Sequence, residues 1–140
     1  MYRILYVSTP DKDLTITEVE EIVAKSRVNN RNNKITGFLC GSSKFFIQCI
    51  EGDQSDIDHL FDIIRQDKRH HHVTLLYRGA ADGRRFGNWD MGVALHIDRH
   101  EDIICQYHDQ SDFDPYSLNP EKALDMLMDF SSLKNYSDHQ

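Results

Sequence analysis

Two stretches of this chain read as strands with no polar face. In FFIQCIEG, Phe45 to Gly52, the residues Phe45, Ile47 and Cys49 point one way. Phe46, Gln48 and Ile50 point the other, because side chains alternate along a strand. YRILYVS, Tyr2 to Ser8, is also apolar and aromatic. Strands of this kind belong in a sheet that is covered on both sides. The break in the pattern is Gln48, an amide between two large apolar residues. If its hydrogen bonds went unmade there, it would cost about 1–3 kcal/mol.

The rest of the chain supplies the two covers. Thr15 with Glu18 forms a potential capping box, predicting a helix to about Asn30. Ile35–Gly41 is a second strand, and the turn SSK joins it to Phe45–Glu51 as a hairpin. Ser55 with Asp58 predicts the start of a second helix that runs to about Gln66. DKRHHH reads as a polar connection to a strand at Val73–Gly79. GRRFGNWDMG is irregular, with exposed loop charge at Gly83–Arg85, and Val93–Ile97 is a fifth strand. The order β-α-β-β-α-β predicts an α+β, ferredoxin-like sandwich with a five-stranded mixed sheet. Both helices then share one face. The tail predicts a helix near Glu101–Tyr107 and another after Asn119-Pro120, a good cap and first-turn pair. That last helix carries Leu124, Leu127 and Met128 along one side and supplies the second cover. The expected division is a domain at 1–98 and a helical extension at 99–140.

Composition narrows the functional classes. A net charge of -7 argues against a phosphate backbone or an anionic membrane as the main partner. No apolar run approaches the ~20 residues of a spanning helix, and the start of the chain lacks a signal-peptide pattern. Cys40, Cys49 and Cys105 show neither metal nor redox spacing. The expected setting is a reducing, cytoplasmic compartment. The adjacent His70, His71 and His72 point in different directions along a strand or loop, a poor arrangement for chelation, so no metal is expected.

The stripe of the first helix, Val19, Ile22, Val23 and Ser26, continues into Asn29 and Asn30. The second helix presents Ile57, Leu60, Phe61 and Ile64. Between them a groove is expected, apolar along its walls and polar at one end, with Gln48 on its floor. The first strand offers either Tyr2, Ile4 and Tyr6 or Arg3, Leu5 and Val7 to the same region. Such a slot is the usual form of a small-molecule site. Taken singly, each polar residue has an ordinary structural role: a packed tyrosine, a glutamine bonded to backbone, an asparagine at a helix end. Their convergence on one groove is what favours a ligand.

The run SRVNN…ITGFLC…FFIQCIEG…DKRHH…RRFGNWDM closely resembles the BLUF family of flavin-binding blue-light receptors, over about the first hundred residues. The tail DFDPYSLNPEKALDML further resembles short stand-alone members of the PixD type. The resemblance implies a flavin, FAD ahead of FMN or riboflavin, between the two helices. It implies that Tyr6 is the photoactive tyrosine and Gln48 the glutamine between it and the flavin. Asn30 matches the asparagine at the ring's carbonyl and N–H edge, and Asn29 a neighbouring position that also touches that edge. Ser26, Phe46, Ile64 and His70 match pocket positions. Trp89 and Met91 match the pair that relays the signal, with their placement left open. One departure is Ile63, where many members carry a basic residue.

The expected function is a receptor rather than an enzyme. Light-driven electron and proton transfer from Tyr6, with rearrangement of Gln48, would alter the flavin's hydrogen bonds and switch protein–protein contacts. A response-regulator-like or transcriptional partner is what the resemblance suggests. A homo-oligomer is also expected, since a receptor without an output domain must signal through other chains. The rival readings are a cofactor-free dimeric interaction module, a single-stranded RNA binder and a small enzyme. No nucleophile, base and oxyanion-donor set supports the last.

Overall fold

The computed structural model describes residues 1–107 and 114–138, with side chains through Leu133. Asp112 and Phe113, which open the tail resemblance, lie outside the described residues. Five strands form one sheet in the order β4-β1-β3-β2-β5. They are β1 (Tyr2–Pro10), β2 (Thr36–Gly41), β3 (Phe46–Gly52), β4 (His70–Ala80) and β5 (Gly92–Leu95). All neighbours are antiparallel except β2 and β5, so the sheet is mixed, as expected. The helices are α1 (Ile16–Asn32), α2 (Gln54–Gln66), the short α3 (Glu101–Ile104) and α4 (Pro120–Asp138). No helix among the described residues is long and apolar enough to cross a membrane.

The alternation in β1 and β3 builds two cores. Ile4, Tyr6 and Ile50 lie on one face with Val19 and Val23 of α1 and Ile57 and Phe61 of α2. Leu5, Val7, Ile47 and Cys49 lie on the other with Ile104 of α3 and Ala123, Met126, Leu127 and Phe130 of α4. The tail helices therefore cover the second face. Thr9 and Tyr116 share a hydroxyl hydrogen bond of 2.5 Å that ties the end of β1 to the tail.

Local chemistry sets most of the boundaries. The Thr15–Glu18 capping box forms at the start of α1. Asn119 Oδ1 accepts the Glu121 N–H at 2.8 Å and opens α4. Four details differ from the sequence reading. First, α2 starts at Gln54, not Ser55: the Asp53 carbonyl already accepts the Ile57 N–H at 3.0 Å, and no side chain caps it. Second, β4 begins at His70, so the histidines taken for a connection are strand residues. This edge strand needs no apolar face, and its pairing with β1 is bulged near His72, whose φ is 55°. Third, β5 ends at Leu95, because His96 adopts a left-handed φ of 56° and starts a single 3-10 turn. Ile97 in that turn is fully buried and so mimics a strand residue. Fourth, the buried stripe of α4 is Ala123, Met126, Leu127 and Phe130, with Leu124 and Met128 as half-buried flanks.

Candidate functional site

On the helix side of the sheet, α1 and α2 stand apart over β1 and β3. The slot between them has a volume of about 680 Å³, including the part open to solvent. Val19, Ile22 and Val23 line it from α1, and Leu60 and Ile64 from α2. Tyr6, Leu39, Phe46 and Gln48 line it from the sheet. The walls are apolar because the helices keep their stripes turned inward.

Strand register creates the floor. Tyr6 of β1 and Leu39 of β2 both stand directly opposite Gln48 of β3. The Tyr6 hydroxyl donates to Gln48 Oε1. On the other side, Gln48 Nε2 donates to Met91 Sδ at 3.1 Å. The buried amide is thus satisfied by one strong and one weak partner. Burial pushes the Tyr6 phenol far above its ordinary value, and the Asp67 carboxylate adds to this. The phenol stays protonated throughout the physiological range.

Polar groups gather at both ends. Asn30 is buried, and its Nδ2 donates to the Asp90 carbonyl at 2.7 Å. An asparagine amide also has a second N–H and a carbonyl oxygen. His70 packs edge-on to Tyr6. Its Nε2 lies 2.6 Å from the Ile64 carbonyl, to which it can only donate, and its Nδ1 lies 2.7 Å from the Ser8 hydroxyl. At the rim, Arg69 binds the Asp67 carboxylate through hydrogen bonds that hold this acid below its ordinary range.

Of the residues expected here, Tyr6, Ser26, Asn30, Phe46, Gln48, Ile64, His70 and Met91 line one slot. Asn29 does not. It is exposed on the outer side of α1, and its carbonyl caps Asn33. Trp89 is also elsewhere: it packs edge-on against Phe38 in the core beneath α4. Met91 takes the place beside Gln48. Ile63 is 55% exposed and outside the slot, so the missing basic residue there leaves no gap in its wall. Sequence reasoning missed Leu14, Leu39, Asp67 and Arg69. Leu39 was recoverable from hairpin register. Asp67 and Arg69 follow the helix in a polar stretch with no periodicity to place them. Arg84 is exposed loop charge, as expected, and its guanidinium also donates to Thr36 Oγ1 at 2.8 Å and the Lys34 carbonyl at 2.6 Å.

An apolar slot floored by a bonded phenol and amide defines a ligand-binding α+β domain. The chain belongs to the BLUF family, sensors of blue-light using FAD, whose model matches residues 1–92. It is 36% identical over 107 residues to photoactivated adenylate cyclase subunit beta of Euglena gracilis, covering 75% of this chain and 12% of that protein. It is 32% identical over 133 residues to subunit alpha of the same organism, covering 90% and 13%. It therefore spans only about an eighth of these curated relatives. Among solved structures, BlsA in its photo-activated state superposes with a TM-score of 0.80 at 26% identity, covering 91% of this chain and 94% of that one. BlrB, a BLUF protein in its dark state, gives 0.78 at 23% identity, covering 95% and 96%, a likeness of fold. The residues present fit the family's flavin: apolar walls suit a planar ring, and the Asn30 amide has a second N–H and a carbonyl oxygen beyond its bond to Asp90.

Proposed function

We propose that this chain is a blue-light photoreceptor in which Gln48 is the switch between two hydrogen-bond patterns. The observation that carries the reading is the bridge from Tyr6 through Gln48 to Met91 along the floor of the slot. In this reading FAD is the resident flavin, as the family's description indicates. Asn30, Gln48, Ser26, Phe46, Ile64 and His70 hold it, with Asp67 and Arg69 at the mouth. Residues 1–98 form the sensing unit and 99–140 the output cover.

A bound flavin supplies absorption of blue light and, once excited, a strong one-electron oxidant. Tyr6 is the phenol on the slot floor, so it is the electron donor. Its proton is already directed at Gln48 Oε1, and an oxidised phenol is a strong acid, so the proton leaves along that bond; once Gln48 has rearranged, the electron and the proton both return to Tyr6 and the flavin is left oxidised. Gln48 has a donor pair and an acceptor and bridges its neighbours in two arrangements, by rotation or tautomerisation. The N–H bond to a thioether is weak and is readily exchanged for one to a better acceptor. The Met91 side chain then loses its contact with Gln48, and the segment that carries it repacks. Trp89 on that segment touches the core of α4, which routes the change to the opposite face and to a partner protein.

The test is reconstitution with FAD followed by Gln48→Leu and Tyr6→Phe. Both variants should bind flavin and turn yellow. Gln48→Leu should lose the reversible red shift, and Tyr6→Phe should fail to reach the signalling state. A full red shift in Gln48→Leu, or a chain that takes up no flavin, would contradict the reading.

A further inference from the structure

Glu51 is wholly buried, and the Tyr6–Gln48 bridge makes no use of it. Its carboxylate is nevertheless heavily engaged. Oε2 accepts from Arg3 Nη2 at 3.0 Å and from the Arg85 backbone N–H at 3.1 Å. Oε1 accepts from the Phe86 backbone N–H at 2.7 Å and the Thr36 hydroxyl at 3.4 Å. Arg3 and Thr36 stand opposite Glu51 on neighbouring strands, so the register dictates those two partners. The other two partners are successive amides of an irregular segment, held from the sheet by a buried charge.

That segment runs from one face of the sheet to the other. Phe86 and Trp89 lie in the core shared with α4, and Met91 lies in the core beneath α1 and α2. The Trp89 N–H donates to the Phe86 carbonyl, and the Trp89 carbonyl accepts from Gly37. Arg85 reaches Met128 of α4, with 3.8 Å from nitrogen to sulfur. One strand, β3, therefore holds both ends: Glu51 on the α4 side and Gln48 on the slot side.

We propose that Glu51 is a positioning residue for the Gln48–Met91 contact, an inference that rests on the switch reading above. Its carboxylate fixes the Phe86 end of the segment. A change at Gln48 is then taken up by residues 87–91 rather than dissipated through the whole loop. Without this anchor the photochemistry at Gln48 persists, but it no longer moves Trp89. Water also reaches the Gln48 amide and hastens the return to the dark pattern.

The experiment uses flavin-loaded Glu51→Gln and the double variant Arg3→Met/Glu51→Gln, which removes the buried cation that the first leaves unpaired. Far-UV circular dichroism checks the fold. The expected result is a red shift of unchanged size and dark recovery faster by about fivefold or more. The light-induced change in acrylamide quenching of Trp89, the chain's one tryptophan, should be lost. A folded variant with unchanged recovery and unchanged light-induced quenching would overturn the inference. If neither variant folds, amide hydrogen exchange on the flavin-loaded natural chain decides. Arg85 and Phe86 should keep their protection in the light while Trp89 loses its own; equal loss at both ends would overturn the proposal. No red shift in the natural chain would overturn the receptor reading and this inference with it.

Discussion

At Gln48 one amide meets two partners of unequal strength, a phenol and a thioether. The inequality makes the residue suited to a switch, because only the weak side has to change. Periodicity left open which face of β1 meets Gln48; the antiparallel register, which sets Tyr6 directly opposite Gln48, decides it. Nor was periodicity enough to choose between Trp89 and Met91. Nothing in GNWDMG decides which turns inward; that depends on Phe38, Gly37 and α1, all distant in sequence. Burial also gives this region a pH signature. Tyr6, Cys40 and Cys49 are raised above their ordinary values of 10.0, 9.0 and 9.0, chiefly by desolvation. The folded chain keeps protons that the unfolded chain releases above about pH 9. Their contribution is therefore fully present below that pH and is lost as pH rises through the folded values. Each such group lowers stability by about 1.4 kcal/mol per pH unit in that window. Chemical denaturation at pH 8, 9.5 and 10.5 should show a progressive fall; constant stability would contradict the assignment of these groups as buried and neutral.

At the scale of elements, the parts with a strong period were legible and the parts without one were not. The hairpin of β2 and β3 and the cap of α1 follow from local pattern. The stretch between β4 and β5 has no pattern because long-range bonds hold it: Glu51 to Arg85 and Phe86, Arg84 to Lys34 and Thr36, Arg27 to the Met91 carbonyl. Its exit through Gly92 is sterically exact in one respect. A Cβ there would stand 2.4 Å from the Phe38 ring and 2.8 Å from the Trp89 ring. Gly92→Ala should push the two rings apart, cost about 1–3 kcal/mol by overpacking, and shift the Trp89 emission. Unchanged thermal unfolding with unchanged emission would show that the rings yield without strain.

The whole molecule is a sheet between two covers of different purpose. The slot side leaves room for a cofactor, and the α4 side is filled with Ala123, Met126, Leu127 and Phe130. An RNA-recognition module keeps that second face open for bases; here it is closed, which agrees with the acidic charge in setting that rival aside. Phe130→Ala should cost about 3–5 kcal/mol in denaturant unfolding, while folded protein still takes up flavin. The two-sided strands made this division legible, and the inward stripes of the two helices made the groove legible; Asp67 and Arg69 at its mouth were not, because no periodicity places them. The central claim is that light changes hydrogen bonds along the Tyr6–Gln48–Met91 bridge and leaves the flavin oxidised. Its most direct test is the light-minus-dark absorption spectrum of the FAD-loaded chain. The oxidised-flavin bands should move together to longer wavelength and return fully in the dark. Bands that bleach under blue light, or that do not move, would contradict the claim.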